Sequence, residues 1–309
     1  MIIVVLLFQI LFIPLFSPLL IGVIRRIKAR MQNRQGASII QPYYDLWKLF
    51  QKDEVISKDA SWIFRFAPYV IFAISIILPL GIPVISTISL FSFMGDFLVI
   101  IYLVALMTFI LALAGIDVGS AFGGFGSSRE MTITAITEGA FVFSILPVVI
   151  FTSSSNISSI IVLFQSNSIN GLLPLSLAFV TFLTVLLAES KRFPFDNPAT
   201  HLELTMIHEA MILEYSGKRL ALVEWASANK TLFFIVLGMN LYFPWSLSSN
   251  TDPILLFYSF LMLLIKILVV AMFVGLIESS IAKFRFFRLP DILLTAYILG
   301  VIALIMVAL

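Results

Sequence analysis

Charged residues and cysteine are scarce in this sequence. Only 12% of the 309 residues are charged and the mean hydropathy is +1.09, whereas soluble domains carry about 25% charged residues. A soluble protein is therefore excluded. Because the sequence has no cysteine, this chain holds no thiolate-bound iron–sulfur cluster, disulfide or cysteine nucleophile. The net charge of +2 gives no electrostatic basis for binding nucleic acid.

Long apolar runs make up most of the chain. Several are about twenty residues long, the length that a helix needs to cross roughly 30 Å of hydrocarbon. The first run lacks the basic start and cleavage site of a signal peptide, so we expect it to be a retained membrane helix. The sequence predicts an all-α polytopic membrane protein with a single integral membrane domain, 1–309. The eight expected spans are 2–24, 66–88, 97–115, 131–151, 172–188, 219–242, 254–279 and 289–309.

Lysine and arginine are distributed on one side of these spans. Of the 19 such residues, only Lys230 and Lys266 lie well inside predicted spans. The others lie in loops or at the ends of spans. Because successive spans cross the membrane in alternating directions, all of these positions fall on the same side. The opposite loops, 89–96, 152–171 and 243–253, contain none. The positive-inside rule then predicts a multi-pass plasma-membrane protein with its main loops in the cytoplasm and both termini outside.

One segment concentrates ionisable residues. Residues 189–217, ESKRFPFDNPATHLELTMIHEAMILEYSG, contain five acidic residues and both histidines of the chain. Asn197 followed by Pro198 is a favourable helix start, and no helix breaker follows before Gly217. We therefore expect one helix that ends at this glycine.

The carboxylates of that segment predict proton chemistry. On a continuous helix Glu203 and Glu214 would share one face. Carboxylates in a low dielectric and near like charges have raised pKa values, so they can exchange protons near neutral pH. A line of them entering the bundle suits a proton path or an acidic quinone-facing funnel, although an exposed polar face remains an alternative. Further ionisable residues within predicted spans are Glu138, Glu224, Lys230 and Lys266.

Two other patterns are less informative. The spacing of His201, Glu203, His208 and Glu209 does not match a zinc-binding helix, so a metal site is disfavoured. The glycine-rich stretch 119–128 lacks the preceding strand and the lysine of a phosphate-binding loop, and is expected to be a flexible loop that packs closely against other backbone. The serine-rich stretch 152–160 is expected to be a short external loop.

A second polar concentration follows the first span. In residues 29–57, ARMQNRQGASIIQPYYDLWKLFQKDEVIS, the side chains of Tyr43, Leu46, Trp47 and Phe50 recur at helical spacing. This pattern predicts a short amphipathic helix at the membrane interface. The basic residues before it suit either anionic lipid or a docked peripheral protein.

These two segments carry a family resemblance. AESKRFPFDNPATHLELTMIHEAMILEYSGKRLALVEWA (188–226) resembles the signature loop of the membrane subunit shared by respiratory complex I and energy-converting membrane-bound hydrogenases. ARMQNRQGASIIQPYYDLWKLF (29–50) resembles the other signature, which follows the first span. NPATHLELTMIHEAMILEYSG and QPYYDLWKL resemble the hydrogenase branch, including formate hydrogenlyase and related sulfane reductases. Ala37 departs from the family, which commonly has proline there.

The resemblance implies roles for particular residues. The implied ion pathway consists of Glu138, Glu189, Asp196, Glu203, Glu209, Glu214, Glu224, Lys230 and Lys266. The implied interface with a peripheral subunit consists of Arg34, Gln35, Gly36, Tyr43, Asp45, Trp47 and Arg192. Arg192 and Asp196 are also implied to hold the loop by local charge pairing. No cofactor is implied in this chain; iron–sulfur clusters and, in hydrogenases, a nickel–iron centre would lie in partner subunits.

The expected function is that of a non-redox subunit in a redox-driven ion-pumping complex. It would link a peripheral iron–sulfur small subunit and a hydrogenase-like large subunit to antiporter-like membrane subunits that move protons or sodium ions. The lipid bilayer would surround it. The alternatives are a quinone-binding subunit of a complex I-type quinone reductase, a self-contained transporter, and a membrane anchor for a soluble enzyme.

Overall fold

The computed structural model describes residues 2–87, 92–166, 172–196, 206–245, 247–248 and 252–309. Within these residues the regular elements are helices, accompanied by two isolated β-bridges. The α-helices are α1 Ile2–Met31, α2 Gln41–Gln51, α3 Trp62–Ile77, α4 Phe97–Asp117, α5 Ala121–Thr152, α6 Ile157–Ser166, α7 Leu172–Glu189, α8 His208–Ile212, α9 Gly217–Tyr242, α10 Pro253–Ser280 and α11 Leu289–Ala308.

Every predicted span corresponds to a helix, so the all-α polytopic fold is confirmed. Among the described residues, seven helices (α1, α3, α4, α5, α9, α10 and α11) are long and apolar enough to cross a membrane, and α7 is a shorter apolar helix. The ends of three helices differ most from the prediction. α3 ends at Ile77 instead of 88, because prolines follow at 79 and 83 and proline disfavours a continuing helix. α1 continues to Met31 and α5 begins at Ala121, because polar and small residues extend these two helices beyond their apolar segments.

The connections gather at two opposite ends of the bundle. The connections after α1, α4, α7 and α10 lie together, since Ser61 bonds Asp117 at 2.6 Å and Arg219 pairs with Glu54. The connections after α3, α5 and α9 meet at the other end, where Ser86 forms a bridge with Ser248. We call the first end the basic face, because the arginine-rich and lysine-rich connections are located there.

Helix α9 is the most enclosed helix of the bundle. In the apolar stretch of this helix, 78% is buried inside the protein, whereas the buried share is 50% or less in every other helix long enough to cross a membrane. It packs against α1, α2, α3, α7 and α10. A helix in this position is shielded from lipid, so it can carry polar side chains that face neighbouring helices. Two such residues, Asn229 and Lys230, are adjacent near its middle and both are buried.

Two segments that the sequence predicts as loops contain helix. The glycine-rich stretch 119–128 is mostly helical and forms the start of α5, and the stretch 152–160 includes the start of α6. Glycine weakens an isolated helix, but here it allows close packing. A Cβ atom built on Gly126 would lie 2.8 Å from Ala210 Cβ and 2.9 Å from the Ile207 carbonyl oxygen. The expectation of close backbone packing was therefore correct, although that of a flexible loop was not.

We predict that Gly126→Ala destabilises the contact between α5 and α8. Overpacking a close contact costs about 1–3 kcal/mol, so the thermal unfolding midpoint of the purified complex should fall. Gly124→Ala is the matched control, because a Cβ atom there has no neighbour within 4 Å. That change should leave the midpoint equal or slightly higher, since alanine favours helix. Equal midpoints for both variants would contradict this packing.

Candidate functional site

The acidic segment folds differently from the predicted single helix. Of the described residues between the end of α7 and Gly217, His208–Ile212 are helical, as α8, and Gly217 begins α9 with a φ of 53° instead of ending a preceding helix. The expectation of a long helix that ends at Gly217 is therefore wrong. Glu214 lies beyond α8 and is exposed. The predictions for Asn197, Pro198, His201 and Glu203 concern residues outside the described part of the chain.

Buried charged residues line a small inner cavity of about 20 Å³. Lys230 of α9 lies 2.6 Å from Glu189 Oε2 at the end of α7, and donates a 3.1 Å hydrogen bond to Thr108 Oγ1 of α4. Lys191 forms an ion pair with Glu130 of α5. Both glutamates are at most 4% exposed.

The charges in the inner cavity balance each other. An isolated charge in a low dielectric is very costly, and a close partner of opposite charge offsets that cost. Two ammonium groups and two carboxylates therefore occupy the interior in place of a purely acidic funnel. Adding one proton to this set would change the local charge by one unit, and neighbouring pairs would sense it strongly because screening is weak there.

An outer cavity of about 280 Å³ lies at the basic face, between α1, α2, α8 and α9. Arg25, Asp45, Glu209 and Glu224 contribute to its lining. The Arg25 and Asp45 side chains are 58% and 41% exposed and lie 3.9 Å apart, so the cavity reaches the surface. Its lining also includes three residues of the inner cavity, which are Lys191, His208 and Ser227.

The protonation of groups outside the membrane spans follows from burial. Burial, followed by repulsion from Glu224 and Asp196, raises the pKa of Glu209 to about 7. Burial, followed by the charge of Lys191, lowers the pKa of His208 to about 3. Burial also lowers the pKa of Lys191 well below its usual value. At neutral pH, His208 is therefore uncharged and Glu209 is close to its titration midpoint.

Two charged anchors fix the loop between α7 and α8 to the end of α10. Arg192 pairs with Glu278 at 3.1 Å, and Lys28 holds the second oxygen of Glu278 at 3.2 Å. Asp196 pairs with Lys283 at 2.5 Å and accepts a 3.1 Å hydrogen bond from the backbone N–H of His208. The ion pairs of Arg192 and Asp196 thus join them to partners more than eighty residues away, in place of the expected local charge pairing.

Like Asp196 and Glu214, the predicted pathway residues Glu138 and Lys266 line neither cavity. Glu138 is half-buried in an open groove of about 480 Å³ on the outer side of α4 and α5, beside Tyr102 and Phe109. Lys266 donates hydrogen bonds to the Phe243 carbonyl at 2.6 Å and to the Trp245 carbonyl at 2.9 Å. These carbonyl groups follow the end of α9. Carbonyl groups at the end of a helix have no N–H partner within it, and a cation such as Lys266 can satisfy them.

The residues predicted for a peripheral interface lie at the basic face. Arg34, Gln35 and Gly36 are exposed between α1 and α2. The predicted amphipathic helix is confirmed as α2, in which the Trp47 side chain is 66% exposed. The hydroxyl of Tyr43 donates to the Leu15 carbonyl, so this residue attaches α2 to α1.

Three members of the site were missing from the predicted site residues. They are Glu130, Lys191 and His208. In the sequence, Glu130 is a charged residue beside a glycine-rich stretch, and Lys191 is one of the basic residues that indicate topology. Both border predicted spans, and a charge in that position is the feature that could have marked them as site residues. Its partner could not be identified, because Glu130 and Lys191 come from distant parts of the sequence.

Comparison with known proteins assigns the chain to a family. Residues 2–309 match the family described as NADH dehydrogenase. The chain belongs to this NADH dehydrogenase family. It is 31% identical over 293 residues to hydrogenase-4 component C of Escherichia coli K12, which covers 94% of this chain and 90% of that protein. It is 30% identical over 283 residues to the H subunit of NADH-quinone oxidoreductase from Syntrophotalea carbinolica, which covers 86% and 82%.

Other similarities agree with this assignment. Formate hydrogenlyase subunit 4 of E. coli K12 is 28% identical over 276 residues, or 89% of each chain. A chain of the archaeal membrane-bound sulfane sulfur reductase shares the fold, with a TM-score of 0.84 over 99% of both chains at 22% identity. The predicted family is confirmed, and this NADH dehydrogenase family member is a membrane subunit like those of hydrogenase and quinone oxidoreductase complexes.

We predict that Glu278→Gln loosens the loop that carries Lys191. The change leaves the Arg192 and Lys28 charges without their carboxylate, and removal of one partner of a buried pair costs about 3–5 kcal/mol. Amide hydrogen exchange in residues 190–196 should become faster in the purified complex. Asp59→Asn, at an exposed carboxylate, should leave exchange in that loop unchanged. Equal exchange in the Glu278 variant would show that the anchor is dispensable.

We predict that Glu209 makes the complex less stable as the pH rises. Its folded pKa of about 7 exceeds the usual 4.5, so the folded state retains a proton that the unfolded state releases between these values. Glu209→Gln should therefore have little effect at about pH 4.5 and should raise the unfolding midpoint, relative to the unsubstituted complex, at about pH 8. A pH-independent difference between the two proteins would contradict the shift.

Proposed function

We propose that this chain is the coupling subunit of a redox-driven ion-translocating complex. It would link a peripheral iron–sulfur module on the basic face to antiporter-like membrane subunits. It would itself carry protons and no redox centre. Support comes from the relatives, which are named as components of hydrogenase-4, formate hydrogenlyase and NADH-quinone oxidoreductase.

The observation that carries the proposal is the sequence of ionisable groups from the surface to the middle of the bundle. The outer cavity contributes Glu209 and Glu224 at the basic face. The inner cavity contributes the Glu130–Lys191 and Glu189–Lys230 pairs. The two cavities share lining residues, so the groups form one connected series. Buried ionisable groups in a membrane protein are costly and mark ion or proton routes.

The basic face is proposed to be the cytoplasmic face that receives the peripheral module. The positive-inside rule supports this orientation. The exposed link containing Arg34, Gln35 and Gly36, together with Trp47 on α2, would provide the docking surface. The outer cavity lies beside α2. Charge or conformational changes in a docked module would therefore act first on Asp45, Glu209 and Glu224.

Coupling would then proceed by protonation. Glu209 titrates near neutral pH, so a small change in potential at the basic face alters its proton occupancy. A proton passed inward would neutralise a carboxylate of the inner cavity and weaken its ion pair. Glu138 interacts electrostatically with Glu189 and Lys230 and lies in an outward-facing groove. It would transmit the change to a neighbouring membrane subunit.

The alternative is a quinone-binding subunit. The similarity to a subunit of NADH-quinone oxidoreductase supports it, and the outer cavity is the site it would use. That lining includes Arg25, Asp45, Lys191, Glu209 and Glu224. A charged lining suits water and protons better than the apolar tail of a quinone. Redox assays of the purified complex with hydrogen, formate and a quinone would separate the two functions.

We predict that Glu189→Gln uncouples electron transfer from ion translocation. The complex would be purified through a tag on this chain, reconstituted into vesicles, and driven by the electron donor of its co-purified redox subunits. Proton movement would be followed with a trapped pH-sensitive dye. Translocation should fall at least about tenfold, because a proton-transfer group is lost, while electron transfer continues.

A charge-balanced control separates function from folding. Glu189→Gln alone leaves the Lys230 charge unpaired, which costs about 3–5 kcal/mol. The double variant Glu189→Gln, Lys230→Gln removes both charges, so stability should recover while translocation stays low. Thr184→Val, at a half-buried hydroxyl bonded only within its own helix among the described residues, should behave like the unsubstituted complex. Normal translocation in the double variant would refute the proposed function.

A further inference from the structure

One buried imidazole nitrogen, His208 Nδ1, has no hydrogen-bond partner among the described residues. His208 lines the inner cavity together with Glu130 and Glu189. The buried oxygens Glu130 Oε1 and Glu189 Oε2 each contact one lysine nitrogen as an ion pair and can accept a further hydrogen bond. Buried polar atoms are almost always hydrogen-bonded, so the unpaired imidazole nitrogen beside two carboxylates needs a physical explanation.

The size of the cavity supplies that explanation. A space of about 10–15 Å³ holds one water molecule, which needs two to four polar partners, and the inner cavity measures about 20 Å³. One water molecule would fit and would find partners among these three atoms. The space is too small for a hydrated metal ion or an organic ligand, so water is the occupant that both volume and chemistry favour.

We propose that one water molecule bridges His208 to Glu130 and Glu189, and that His208 relays protons between the outer and inner cavities. This role rests on the proposed function and identifies the residue that connects the two halves of the route. His208 lines both cavities. Its backbone N–H is held by Asp196 at 3.1 Å, so the anchored loop fixes its position.

Imidazole is better suited to this role than the other two shared residues. A neutral imidazole has one nitrogen that accepts a proton and another that donates one. The side-chain nitrogen of Lys191 is already engaged in the ion pair with Glu130. The hydroxyl of Ser227 can both accept and donate, so it is the competitor that an experiment must exclude.

The relay conserves protons at each step. One ring nitrogen accepts a proton from the outer cavity, and the other releases a proton to the bridging water. The water passes one of its own protons to a carboxylate, which becomes neutral. The imidazole has gained and lost one proton, so it ends uncharged in the other tautomer, and a half-turn of the ring then turns its N–H group towards the bridging water for the next transfer. A pKa of about 3 for His208 keeps the protonated ring short-lived.

The first test uses the reconstituted complex with His208→Gln and His208→Ala. We expect proton translocation to fall by about 10²-fold in both, the effect of losing a positioned acid–base group, while electron transfer continues. Glutamine keeps hydrogen-bonding groups but does not exchange a proton. Added imidazole should restore translocation to the alanine variant and not to the glutamine variant. Ser227→Ala should translocate normally.

The outcomes separate this inference from the proposed function. Normal translocation in His208→Gln, with loss in Glu189→Gln, would overturn the relay and leave the proposed function intact. Loss in Ser227→Ala but not in the histidine variants would assign the relay to the serine. Normal translocation in both His208→Gln and Glu189→Gln would overturn both proposals.

A second test requires no substitution. A cryo-EM map of the intact complex that resolves ordered water should show one density peak in the inner cavity. The peak should lie within about 3.2 Å of His208 Nδ1 and of at least one carboxylate oxygen. A well-resolved cavity without such a peak, or with His208 Nδ1 bonded directly to a protein atom, would overturn the water bridge.

Discussion

Pairing of opposite charges in a low dielectric is the constraint on which this subunit depends. Lys230 lies near the middle of the most enclosed helix, where Glu189 and Thr108 face its side-chain nitrogen. Glu130 and Lys191 form a second pair. These pairs require α4, α5, α7 and α9 to meet at one place. Glycine residues in α5 also allow α8, which carries His208, to approach the same place.

The surrounding structure holds this pairing in place. Arg192 and Asp196 attach the loop after α7 to the end of α10, and the loop in turn positions Lys191 and His208. At the opposite end, Lys266 bonds the carbonyl groups that follow α9. At the start of α9, Arg219 pairs with Glu54, so charged side chains support both ends of the enclosed helix. A charge shift at the basic face can then act on fixed groups rather than being absorbed by loop movement.

The fold could be predicted from the sequence because hydropathy reports directly on membrane crossing. The glycine-rich start of α5 could not, because glycine that weakens a helix in water also permits tight helix packing. The sequence likewise predicted Lys230 as a site residue, since ionisable residues at membrane depth are unusual, and Glu189 from its place in the acidic segment. It could not identify Glu130 with Lys191, or His208, because their roles arise from contacts between distant segments.

In the proposed coupling mechanism, electron flow in a docked redox module changes the proton occupancy of the buried carboxylates. Redox-induced infrared difference spectroscopy of the intact complex detects such a change in protonation. We expect a carboxyl C=O band that appears or disappears on reduction, shifts in D₂O, and is missing from the spectrum of a complex lacking the Glu189 carboxyl group. Identical spectra with and without that group would show that Glu189 does not change its protonation, and would overturn the mechanism.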